Sequence, residues 1–177
     1  MDQRPKLKVK KESLDWIIEI VGFLVLAAAT AYVLTNYSIL PDRIPTHYVL
    51  DGNPDGFGNK SKLLILWIVT VSMFTGLLIL NKFPHVLNYP TTVTAENAHK
   101  LYQQASRMIR SLNTVIVLAF SYLIYSTIQT AFNSQDGLGN YFTPVFLISV
   151  FWLIIFFLVK SVRAGKSALK MRYAFMH

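Results

Sequence analysis

Four apolar runs, each long enough to cross a bilayer, hold a single charged residue between them, Glu19. A transmembrane helix needs about 20 mostly apolar residues, and the runs fall at about 16–38, 63–81, 112–132 and 143–159. A soluble helix would break such a run with charge on its outer face at every turn. Charged residues make up only 15% of the 177-residue chain, against roughly 25% in soluble domains, so a soluble fold would lack a surface. The expected fold class is therefore all-α: an integral membrane four-helix bundle. Cysteine is absent, which removes disulfides, thiolate metal sites and cysteine nucleophiles.

The +8 net charge suggests nucleic acid until the basic residues are placed. Fourteen of the 17 lie in the leader 1–15, in the link between the second and third runs, and in the tail 160–177. Basic residues collect on the cytoplasmic side of spans and are attracted to anionic lipid there. We therefore expect no nucleic-acid partner, both termini in the cytoplasm, and loops 41–62 and 133–142 outside. The membrane domain is expected over 16–159, between a basic cytoplasmic leader and tail. The basic leader followed by an apolar run is taken as the first span and not as a cleaved signal.

The link between spans two and three predicts an amphipathic cytoplasmic helix over 95–111. Thr94 is a suitable N-cap, and Leu101, Ala105, Met108 and Leu112 share one stripe. It continues without Pro or Gly into span three. Within the spans, Gly22, Ala27, Thr70, Ser72, Thr75, Gly76, Asn113, Tyr122, Tyr125, Ser126 and Gln129 are small or polar. Such residues mark helix–helix contact in lipid; a polar permeation path is the sharper reading. Glu19 is an intramembrane acid and a functional candidate on that ground, although it lies one turn beyond Asp15, near the interface.

The loop 41–62 holds most of the chemistry. Pro41 and Pro45 stiffen its start, and Asp51, Asn53, Asp55 and Gly56 fit the first half of a calcium loop. Lys62 stands where that motif needs a bidentate glutamate, so Asp51, Asn53 and Asp55 are at most a partial cation site. The pattern Asp55-Gly56-Phe57-Gly58-Asn59 returns as Asp136-Gly137-Leu138-Gly139-Asn140, by chance or by hairpin duplication. His47, His85, His99 and His177 form no paired metal-ligand spacing. No phosphate loop or nucleophile elbow is visible. We expect neither enzymatic activity nor a cofactor.

Leu40-Pro41-x-x-Ile44-Pro45-x-His47, followed by Gly52-x-Pro54-Asp55-Gly56, resembles the outer-loop signature of a bacterial membrane domain of unknown function. That domain is best known as the N-terminal part of SdpI-type bacteriocin-immunity proteins. Tyr89-Pro90, the polar run after it and the Arg-bearing helix are similar too. The resemblance implies the bacterial cytoplasmic (inner) membrane and an outward loop defined by Pro41, Pro45, His47, Gly52, Pro54 and Asp55, and it supplies no catalytic mechanism. The expected function is thus recognition, of an immunity or signalling type, with a protein partner or peptide ligand at that loop. An accessory subunit of a larger membrane complex and a small transporter are the alternatives.

Overall fold

The computed structural model describes residues 4–174, and side chains as far as Gly165. Its helices are α1 (Ser13–Asn36), α2 (Ser61–Leu80), α3 (Ala98–Ala131) and α4 (Phe142–Ala174). A two-stranded antiparallel hairpin, β1 (Arg43–Tyr48) and β2 (Pro54–Asn59), lies between α1 and α2. The all-α expectation is corrected by that hairpin. Along β1, Ile44 and Pro45 are both buried, Thr46 and Tyr48 half-buried and His47 exposed, so an irregularity at Thr46 breaks the alternation a strand would show. The prolines and the Gly-rich second strand also hid the hairpin.

Four helices are long and apolar enough to cross a membrane: Ser13–Asn36, Ser61–Leu80, Ala98–Ala131 and Phe142–Gly165. The chain is on that ground a multi-pass membrane protein. At about 1.5 Å per residue, α2 is ~30 Å long, the thickness of a bilayer core, whereas α3 is ~51 Å and overshoots it. Successive helices alternate in direction. One end of the bundle carries the hairpin; the other carries the leader and the link 81–97.

α3 is the central post, packing against α1, α2 and α4. Close approach is set by Gly22, where an added Cβ would lie 3.0 Å from the Phe74 ring and 3.3 Å from Thr114 Oγ1. Three helices meet there, as small residues in lipid-embedded bundles permit. Polar side chains then bond across: Trp67 Nε1 donates to Thr30 Oγ1 (3.0 Å), Asn113 Nδ2 to the Phe74 carbonyl (3.0 Å), and Thr114 Oγ1 to the Ile18 carbonyl (3.1 Å). α4 is peripheral. Ile148, Phe151, Trp152 and Ile155 stand exposed along it, the surface a span turns to lipid.

The link differs from expectation at one point. α3 starts at Ala98, not at 95, because the Asn97 side chain gathers the preceding residues into a turn. Its Oδ1 accepts from Thr94 N (2.8 Å) and its Nδ2 donates to the Thr92 carbonyl (2.9 Å). Thr94 therefore does not cap the helix. Ala98, Leu101 and Tyr102 pack with Ala164 of α4 and with Val9, Tyr89 and Val93.

Candidate functional site

The hairpin is folded by its own sequence and then fastened to the bundle. Pro45 pairs with Phe57 and His47 with Gly56, with Thr46 bulged between. Gly56 is needed at its place, since a Cβ there would lie 2.9 Å from the Cβ of His47. The turn closes with Gly52 N donating to the Val49 carbonyl (2.8 Å) and Asn53 N to Asp51 Oδ1 (3.1 Å). Below, Ile44 is buried with Val33, Leu40, Leu63, Ile124 and Ile128, so the strand's inner face belongs to the core. Above, His47 Nδ1 meets Asp55 Oδ1 at 2.5 Å across the two strands, both side chains open to solvent.

Two fastenings hold this platform. The Tyr48 hydroxyl bonds Thr127 Oγ1 on α3 at 3.0 Å. Burial pushes that phenol's pKa above its ordinary value, and hydrogen bonds from Thr127 and Thr130 oppose the rise only in part. The second fastening is backbone to backbone: Leu138 N donates to the Gly52 carbonyl at 2.8 Å. A Cβ on Gly52 would lie 2.8 Å from Gly139 N, so the two loops touch without side chains between them. Loop 132–141 is itself held by α3. Ser126 Oγ donates to the Gly137 carbonyl (2.6 Å), Tyr122 OH to the Leu138 carbonyl (3.0 Å), and Thr130 Oγ1 accepts from Gly137 N (3.1 Å). Gln129 Nε2 reaches Tyr32 OH at 2.6 Å. The polar stripe on span three is thus engaged in holding loops and α1.

Each residue singled out in the loop has a place. Pro41 is exposed just ahead of β1, Pro45 is buried in it, Gly52 is buried at the turn against Gly139, and Pro54 opens β2. His47 and Asp55 are brought together; Asp51 and Asn53 instead form the turn. Among the described residues no three His, Asp or Glu side chains are grouped to hold a metal ion. The repeated five-residue pattern has two conformations. The first copy lies in β2, and the second turns through Gly137 and Gly139 at φ +79° and +75°. The two copies are not one structural unit.

At the opposite end, Glu19 is buried in a cluster the sequence did not disclose. Arg110 Nε donates to Glu19 Oε1 (3.0 Å), Lys11 also pairs with Glu19, and Arg107 Nε donates to Asp15 Oδ1 (2.9 Å). Arg107 Nη2 reaches Glu12 Oε2 at 2.7 Å. Arg110 Nη1 stands 3.4 Å from Asp15 Oδ1, inside ion-pair range but without hydrogen-bond geometry. With its amide turned to satisfy both ends, Asn81 accepts from Arg110 Nε (3.1 Å) and donates to Ser106 Oγ (3.1 Å). Glu19 thus helps to lock α1 to α3. The clue was spacing: acids at 12, 15 and 19 and bases at 107 and 110 each fall on one helix face.

Beneath β1 lies a cavity of about 380 Å³, bounded by α2, α3 and α4, with Leu63, Leu66, Leu123 and Phe142 in its wall. Sequence reasoning missed it, together with Tyr48, Thr127 and Lys62, because no local pattern relates residues so far apart.

Residues 24–73 match the model of a domain of unknown function, DUF1648, a stretch covering the second half of α1, the hairpin and the larger part of α2. The chain is 26% identical over 158 residues to an uncharacterized protein of Archaeoglobus fulgidus, which takes in 80% of this chain and 84% of that one. No solved structure matches it.

Proposed function

We propose that this chain is a non-catalytic recognition protein of the bacterial cytoplasmic membrane, with both termini inside and the hairpin outside. In this reading His47 and Asp55 form the recognition surface for a peptide or an envelope protein. The orientation is supported by the concentration of basic residues at the end opposite the hairpin. The resemblance of the loop to SdpI-type immunity proteins supports a role of the immunity or signalling kind. One observation carries the proposal: a solvent-exposed His–Asp pair rides on a hairpin anchored to α3 and to loop 132–141. Binding is favoured when the contacting groups are already ordered, since less freedom is lost on association.

A photo-reactive amino acid at Phe57, which is half exposed on β2, tests this in whole cells. Irradiation should yield a discrete adduct with a peptide or envelope protein. The double variant His47→Ala/Asp55→Ala should lose it at unchanged membrane level. Absence of any adduct from the unaltered hairpin, or an equal adduct from the double variant, overturns the proposal.

A further inference from the structure

We infer that the cavity beneath β1 binds one acyl chain of an anionic phospholipid, with Lys62 receiving the phosphate. His47 is among the lining residues, but the inference rests on the apolar lining and Lys62 and does not depend on what His47 and Asp55 recognise.

The lining is mostly apolar, with Thr46, His47 and Thr143 among its polar members. Leu63, Leu66, Leu123, Leu138 and Phe142 make the interior apolar. The hydroxyls of Tyr48 and Thr127, which also line it, already bond each other at 3.0 Å. An occupant of the interior is therefore a hydrocarbon, because a polar group there would find few free partners and an unpaired buried polar group is costly. At about 380 Å³ the space falls in the range of small-ligand sites.

Among the described residues, Lys62 is the one lysine or arginine in the lining. Lys60 and Lys62 stand together at the start of α2, but they differ in engagement. Lys60 Nζ donates to the Leu40 carbonyl (3.0 Å) and pairs with Asp42 (3.4 Å). Lys62 has no ion-pair partner among the described residues, and its stem lies along Gly58, where a Cβ would be 3.4 Å from Lys62 Cε. As the second residue of a helix that crosses the bilayer, Lys62 sits at headgroup depth. Leu63 and Leu66 continue from it toward acyl depth. A free cation above an apolar cleft, in that order along a span, complements a phospholipid: phosphate at the ammonium, one chain below it.

The test is native mass spectrometry of the full chain in detergent, titrated separately with phosphatidylglycerol and phosphatidylcholine. The unaltered protein should retain one phosphatidylglycerol in preference to phosphatidylcholine. Lys62→Gln should reduce that preference by roughly fivefold, the effect of one basic residue at an anionic lipid surface, while keeping a lipid bound. Leu123→Trp fills the cavity and should release lipid of either headgroup. Leu66→Trp serves the same purpose from α2 if the first variant fails to fold. Equal retention of both lipids by the unaltered chain, undiminished retention by a folded filled-cavity variant, or a peptide in place of lipid would each overturn the inference.

Discussion

At Gly137 the backbone turns through φ +79°, and an added Cβ would collide with the Gly52 carbonyl and lie 3.0 Å from Pro54 Cδ. Gly76, toward the C-terminal end of α2, has nothing within 4 Å of the same hypothetical atom. The two substitutions should therefore differ in sign. Gly137→Ala forces a disfavoured conformation and a clash, and should lower stability by about 1–3 kcal/mol. Gly76→Ala removes a flexible residue from a helix interior and should raise stability by up to about 1 kcal/mol. Thermal unfolding midpoints in detergent report both. The pair also shows what a sequence discloses about glycine. Small residues in spans were taken as contact points, which describes Gly22 beneath Phe74 and Thr114 but not Gly76, open on its helix. Composition marks the residues able to sit at a crossing, and only packing selects which of them do. The loop residues were more legible. His47 and Asp55 meet because the register slips after His47, which pairs with Gly56 while Tyr48 pairs with Pro54, leaving Asp55 unpaired beside it, whereas Gly52 and Pro54 shape the turn and its contact with Gly137 and Gly139.

Among the elements, α1 and α3 are joined by charge at the leader end and by polar side chains at the hairpin end. The charged joint is buried: Asp15 is 0% exposed and Arg110 5%. Removing one partner of such a pair leaves the other charge desolvated, which costs far more than the pair contributes. Lys11 still faces Glu19 and Arg107 still holds Asp15, so Arg110→Met should destabilise the bundle by less than the ~3 kcal/mol of a fully unpaired buried charge. Glu19→Met/Arg110→Met should lose less than the sum of its single changes, measured by unfolding midpoints of all four species. If the two changes prove additive, Glu19 and Arg110 are not coupled. The four spans themselves were plain from sequence, since hydrocarbon thickness sets a length that apolar runs must meet. The hairpin was not, because Pro45 and three glycines within β1 and its flanking turn and β2 are residues that strands usually avoid. Here Pro45 lies beside the bulge at Thr46, and Gly56 admits the His47 side chain, so each exception has a local cause.

For the molecule as a whole, the proposed orientation makes a simple forecast. The chain has no native thiol, so Asn53→Cys and Thr92→Cys each carry a unique label site at opposite ends of the bundle. In intact spheroplasts a membrane-impermeant maleimide should modify the first at once and the second only after lysis. The reverse pattern would put the hairpin in the cytoplasm and end the recognition proposal. The fastening of that hairpin has a further consequence for biogenesis. Tyr48 precedes its anchor Thr127 by 79 residues, and Leu138 follows later still. A chain emerging from the ribosome inserts α1, the hairpin and α2 before either support has been translated. The hairpin therefore waits, its ties to Thr127 and Leu138 unmade, until the last third of the polypeptide arrives, and in nascent chains halted before Thr127 its exposed turn should be cut by proteases faster than in the finished protein, where those ties hold it fixed.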